Sequence, residues 1–360
     1  MEIGISKPFI GEEEKQAVLA VLESGQVTQG PRVAQFERQF AEYHGAEFGI
    51  ATNNGTSALM VMMMAHGIGP GDEVIVPAFT FFATASSVLA VGATPIFADI
   101  DPVSYCMSPT AAEAAITDRT RAIIPVHLFG HPADMPAFKA ICDRYGLLLL
   151  EDAAQAHGAA IGNAHVGSWG SAAFSFYATK NIMTAEGGMI LTNDSVAVER
   201  MRMFRNQGMS TQYFHEVAGH NYRMTDINAA LGIVQMSRLH EWTQQRIQNA
   251  AEFNQRIHSL QTPATSDGYR HVFHQYTVRV PDGLSRDDVL KLLQDQGIGA
   301  RVYYPLPIHQ QPVFQRMPEY ADVHLPETER AAQQVLSLPV HPHLTQAERD
   351  YIVDVVNALA

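Results

Sequence analysis

Short apolar runs alternate with helix-length stretches through the first half of the chain, and this alternation restricts the fold more than any other feature. The runs are Glu73-Val74-Ile75-Val76, Thr94-Pro95-Ile96-Phe97-Ala98, Ala122-Ile123-Ile124-Pro125-Val126 and Leu147-Leu148-Leu149-Leu150. Helices are expected between them, over 84–91, 108–115 and 135–145. Apolar strands separated by helices predict a largely parallel sheet covered on both faces, an α/β architecture. Such sheets bind ligands outside the carboxyl ends of their strands. Three segments fall at such ends: Thr52 to Ser57, Pro77 to Thr80, and Asp152.

The flanking segments complete the outline. Helices over 11–24 and 31–43 lead into a short strand at 48–51. The following helix, 58–65, carries Met60, Met62, Met63 and Met64, which read as core filler. A long helix over 231–257 joins the sheet region to a smaller one. There an alternating strand is expected at 272–280, a helix at 286–296, a strand-like run at 300–304 and a last helix from Thr345. The division is a large domain over 1–245 and a small α+β domain over 246–360.

Charge narrows the partners. The 360 residues carry a net charge of -13. An acidic surface argues against nucleic acid and against an anionic membrane, while leaving an anionic small molecule open. Cys106 and Cys142 have neither the spacing of a disulfide framework nor His and Cys neighbours for a zinc site, so no metal is expected. No apolar run reaches about 18 residues, and the start lacks a basic-then-apolar leader, so a cytoplasmic protein is expected.

Three groups carry chemistry. Lys180 lies in a turn between two apolar runs, where lost hydration would lower its pKa and make it an amine nucleophile toward carbonyls; a surface lysine in a loop is the alternative on position alone. Asn54-Gly55-Thr56-Ser57 stands between a strand and a helix, where free N–H groups, a glycine and two hydroxyls suit a phosphate. Plain helix capping is the alternative there. Asp152 follows four leucines and Glu151, and a buried strand-end carboxylate needs a partner: a metal, a helix cap or a protonated ring nitrogen. Gln155 is placed to face the same cleft. No dinucleotide or P-loop glycine pattern is present. Phosphate nest, aspartate and lysine together match the three contacts of a pyridoxal phosphate site.

The chain resembles the DegT/DnrJ/EryC1/StrS family of nucleotide-sugar aminotransferases over essentially its full length. The carrying motifs are Gly30-Pro31 with Phe36-Glu37, Asn54-Gly55-Thr56-Ser57-Ala58-Leu59, Gly69-Pro70-Gly71-Asp72-Glu73-Val74 and Glu151-Asp152-Ala153-Ala154-Gln155. Further along stand Ser175-Phe176-Tyr177-Ala178-Thr179-Lys180, Glu186-Gly187-Gly188, Asn221-Tyr222-Arg223-Met224-Thr225-Asp226 and Tyr304-Pro305-Leu306-Pro307 with His309.

The resemblance implies the PLP-dependent transferase fold type I, aspartate aminotransferase-like, as a homodimer with active sites at the subunit interface. Lys180 would link to the cofactor and later carry the proton. Asp152 would pair with the pyridine nitrogen, and Gln155 would approach the ring hydroxyl. Gly55, Thr56, Ser57 and Ser175 would hold the phosphate, and Asn221 would reach it from the neighbouring subunit. Phe81 would stack on the ring, with core packing as its alternative. The implied reaction passes an amino group from glutamate, which leaves as 2-oxoglutarate, to a keto-sugar linked to dTDP or UDP. Arg223, Arg301, Tyr303, Tyr304 and His309 are candidates to meet that sugar nucleotide. A surface ion pair remains open for Arg301, as does core packing for the two tyrosines. The segment Tyr303 to His309 is similar to members acting at C3 rather than C4 of the hexose. Amination of a cyclitol or other ketone, or a non-catalytic PLP-binding regulatory role, are the alternatives.

Overall fold

Every residue of Glu73–Pro77 and of Ser171–Ser175 is buried, as expected of strands covered on both faces. The computed structural model describes residues 1–359. Its main sheet has seven strands: β1 (Phe48–Thr52), β2 (Glu73–Pro77), β3 (Thr94–Ala98), β4 (Thr120–Ile123), β5 (Leu148–Asp152), β6 (Ser171–Ser175) and β7 (Gly188–Thr192). They lie in the order β1-β7-β6-β5-β4-β2-β3. All neighbours are parallel except the two pairs made by β7. The connection from β6 to β7 contains no helix, and an antiparallel neighbour needs none. Lys180 sits in that helix-free turn.

Leu59, Met62, Met63, Val88 and Val198 pack on one face of the sheet, against Val74, Val76 and Ile190. Phe36, Phe40, Phe138 and Ile141 cover the other face. Met62 and Met63 are therefore core residues. A further core joins Ile3, Phe253, Tyr276, Val278, Leu336 and Val353 around the antiparallel pair Tyr276–Arg279 and Val335–Leu338. The helix Asp226–Arg256 is unbroken over 31 residues and contributes to both regions. Its first side chain, Asp226, accepts the N–H groups of Gly30, Arg32 and Val33 at 2.9, 3.2 and 2.9 Å.

Several elements differ from the sequence reading for local reasons. The helix expected at 58 starts at Gly55, because Asn54 caps it by accepting the Ser57 N–H at 2.8 Å. The long helix likewise starts at Asp226, capped by Thr225. The strand expected over 122–126 is Thr120–Ile123, since Pro125 has no N–H for the ladder. The strand expected over 272–280 is reduced to Tyr276–Arg279. Before it, the Val272 and Gln275 N–H groups turn aside to the carbonyls of Gly130 and Phe129. The run at 300–304 makes only one bridge, Arg301 to Ser337. The capped helix Ser195–Arg205 was not anticipated. Cys106 and Cys142 are buried free thiols, and no helix is long and apolar enough to cross a membrane among the described residues.

Candidate active site

Four strand ends converge. β1 leads into Asn53 and the helix Gly55–Ala65, β2 into Thr80 and Phe81, β5 ends on Asp152, and β6 ends on Ser175. β5 and β6 are hydrogen-bonded neighbours, with Asp152 opposite Ala173. The Lys180 turn therefore begins one strand away from the Asp152 carboxylate.

Close backbone approach builds the helix end into the site. A Cβ on Gly55 would stand 2.8 Å from that of Ser175, so only glycine lets this helix start rest on the Ser175 side chain. Across the sheet, a Cβ on Gly188 would meet the Asn54 carbonyl oxygen at 2.3 Å. Asn54 uses its side chain on Ser57, accepting from both its N–H and its hydroxyl. The cap is therefore Asn54 rather than a serine or threonine. The N–H groups of Gly55 and Thr56 find no acceptor among the described residues. Two free donors at a helix start, beside the Ser175 hydroxyl, suit a phosphate.

Asp152 is 5% exposed. One carboxylate oxygen accepts the Thr84 hydroxyl at 2.8 Å and the other accepts the Ala154 N–H at 3.1 Å. Each oxygen keeps a lone pair for a further donor, as a pyridinium N–H requires. Burial pushes the Asp152 pKa up, while Thr84, Ala154 and Lys180 pull the other way. Burial pushes Lys180 down to about 8, opposed by the Asp152 charge. The Lys180 amine is thus about half unprotonated near pH 8, far more than an ordinary lysine. An amine attacks only when unprotonated. In the cofactor-free protein, reaction of Lys180 with a small aromatic aldehyde should therefore quicken as pH rises through about 8. In Asp152→Asn the opposing charge is gone, and the inflection should move to lower pH. A stopped-flow pH profile with the same inflection in both proteins would uncouple the pair.

Glu151, the preceding residue, is fully buried and faces away from this chemistry. It accepts the N–H groups of Gly167, Trp169 and Gly170 at 2.8 to 3.0 Å, and His127 Nε2–H at 3.0 Å. His127 Nδ1 accepts the Ala133 N–H, which fixes that tautomer.

Gln155 is held on both sides. Its Oε1 accepts the Phe129 N–H at 2.7 Å, and its Nε2 donates to the Tyr304 hydroxyl at 3.0 Å. Tyr304 thus props Gln155, a contact invisible in the sequence. Phe81 is 58% exposed, so core packing does not explain it. Its ring centre lies 6.1 Å from that of Tyr304. Arg223 pairs in backbone with Thr52 at the end of β1 and donates to Asn206 at 2.7 Å. Asn221 and Arg301 are exposed, and Tyr303 is half-buried. His309 is not brought to the cleft: it is fully buried, bonded to Glu329 and against Phe97. His157 packs between Phe174 and Phe176. Thr84 was not singled out by the sequence, because only the fold brings it to Asp152.

This chain matches the DegT/DnrJ/EryC1/StrS aminotransferase family over residues 8–357. The chain belongs to that family. The relatives of this DegT-family aminotransferase include the pleiotropic regulatory protein of Geobacillus stearothermophilus. It is 44% identical over 354 residues, 95% of this chain and 94% of the relative. The UDP-N-acetyl-3-dehydro-α-D-glucosamine 3-aminotransferase of Acidithiobacillus ferrooxidans is 41% identical, covering 93% of this chain and 90% of the relative. Among solved structures, DesV of S. venezuelae, in complex with a ketimine intermediate, superposes with a TM-score of 0.92. It is 38% identical and covers 96% of this chain and 94% of its own. The chain is thus a sugar aminotransferase of the DegT family.

Proposed function

We propose that this enzyme moves an amino group from glutamate to the C3 ketone of a hexose linked to dTDP or UDP. The cofactor of this aminotransferase is pyridoxal phosphate. The observation that carries the reading is the meeting of Lys180, Asp152 and a free helix start at neighbouring strand ends. The donor set fits the cofactor: anion donors at Gly55, Thr56 and Ser175, a carboxylate with open lone pairs, and a partly deprotonated amine.

When bound, pyridoxal phosphate supplies an aldehyde to take up amines and a ring to accept carbanion electrons. The chain's residues do the rest. Gly55, Thr56, Ser57 and Ser175 hold the phosphate, with Ser57 acting through its bonds to Asn54. Asp152 keeps the ring nitrogen protonated, and Thr84 keeps Asp152 in place. Gln155 would approach the ring hydroxyl, and Phe81 would stack on the ring. Lys180 Nζ would hold the cofactor at rest and, when free, would carry the proton away from the donor's α carbon within each half-reaction.

For the large substrate we assign Arg223, Arg301 and Tyr303, none of them fully buried, and leave His309 to structure. The C3 preference draws support from the segment Tyr303 to Pro307 and from the 3-aminotransferase activity that names the A. ferrooxidans relative. The decisive experiment supplies glutamate with 3-keto and 4-keto dTDP- and UDP-sugars and reads the products by mass spectrometry. Amination of 4-keto sugars alone would reject the C3 reading. The G. stearothermophilus relative's name favours a regulatory role as the second reading. A cofactor-loaded protein that turns over no ketone, cyclitol ketones included, would favour it.

We also propose a cytoplasmic homodimer, divided near residue 245 within each subunit. The exposed aromatics Phe81, Phe82, Tyr177 and Phe214 support a buried subunit contact. Asn221 would complete the neighbouring subunit's phosphate site. Asn221→Ala should then raise the cofactor dissociation constant about tenfold or more, one charge-assisted hydrogen bond's worth. Unchanged retention on dialysis would remove Asn221 from that role.

A further inference from the structure

Only two arginines are among the buried charged residues, and they are treated differently by the fold. Arg205 has the Glu37 carboxylate and the Ala51 carbonyl. Arg246, 6% exposed, has no carboxylate at all among the described residues. One of its terminal nitrogens donates to the Phe273 carbonyl at 3.2 Å, and its Nε is buried without an acceptor. The ionisable groups that feel its charge are His157, His274, His341 and His343, every one neutral or cationic. The nearby buried acid Glu14 is already taken by the Gly11 N–H, Gln235 and Arg238. Burial pushes Arg246 down to about 10, with nothing to offset it. An unpaired buried guanidinium is costly, and an anion relieves the cost.

Arg246 lines a small pocket together with Thr179, Lys180 and Asn181, with Lys7 and His343 also on its lining. The pocket's volume is about 20 Å³. That is room for a water or the end of a carboxylate, and not for a sugar nucleotide. We propose that Arg246 binds the α-carboxylate of the amino donor. This rests on the aminotransferase reading above. The carbon from which Lys180 takes its proton also bears that carboxylate, so the two groups must be received within one bond length of each other. A guanidinium fork matches a carboxylate in two parallel hydrogen bonds. The exposed Lys7 adds an attractive field for an anion entering the pocket.

The test uses the pyridoxal phosphate-loaded enzyme and follows the loss of its visible aldehyde-form band in a single half-reaction. The donors are L-glutamate and 4-aminobutyrate, which keeps the distal carboxylate and lacks the α one. The wild type should favour glutamate by at least about tenfold. Arg246→Met should raise the half-saturating glutamate concentration roughly 10- to 100-fold, the worth of such a charge-assisted pair. It should leave 4-aminobutyrate and the sugar KM unchanged, and Arg246→Lys should fall between. Equal loss for both donors would reduce Arg246 to a structural role and overturn the proposal. Where Arg246→Met does not fold, the wild-type preference decides alone: equal use of the two donors overturns it. A wild type inert to every donor would reject the aminotransferase reading itself.

Discussion

Exchange of Lys180 for alanine should abolish amino transfer while the protein still takes up pyridoxal phosphate. The free N–H groups at Gly55 and Thr56, the proposed phosphate donors, and the Asp152 carboxylate are untouched by the change, so non-covalent retention should persist. What disappears is the amine that is pushed down to about 8 and that is proposed to carry the proton. General acid–base groups contribute roughly 10²- to 10⁴-fold to rate, and kcat should fall by at least that. Borohydride should no longer fix the cofactor to the chain. Turnover within tenfold of the wild type would assign the proton to another group.

Glu151→Ala should produce the largest loss of stability from any single residue near the site. Three backbone N–H groups and the His127 ring lose their common acceptor in a fully buried place. Breaking a buried charged network by removing one partner costs about 3–5 kcal/mol. The folded state should therefore yield at markedly lower urea, and the cofactor should leave with it, since Asp152 is the next residue. A change near that of a surface substitution, about 0.5 kcal/mol, would mean that water replaces the carboxylate.

Legibility in the sequence followed the range of the interaction. Lys180, Asp152 and Gly55 each stand where an apolar run gives way to small or polar residues, a local signal of strand ends. The parallel sheet was legible for the same reason, and so was β7 as an apolar run, although not its reversed direction. Thr84, 68 positions from Asp152, shows nothing in its neighbourhood that marks it. Tyr304 and Gln155 meet across 149 positions. His309 carried a false signal, because a histidine beside prolines looks accessible until Glu329 and Phe97 close over it. The strand expected over 272–280 failed similarly: its alternation is real, yet the loop at Phe129 and Gly130 takes its first N–H groups. Arg246 sits in an ordinary amphipathic helix, and only burial without an acid sets it apart.

The helix Asp226–Arg256 is roughly 46 Å long at 1.5 Å per residue. Its first residue clamps the amino-terminal arm at Gly30, and Arg246 lies between five and six turns further on the same rod. Hinges form at loops and element ends, which absorb changes in φ and ψ. This rod has no joint between its ends, so the region around Phe253 cannot swing away from the sheet by bending near residue 245. Arg246 is thereby carried on the same rigid element that clamps Gly30, and its place against the Lys180 turn does not depend on any joint within the helix.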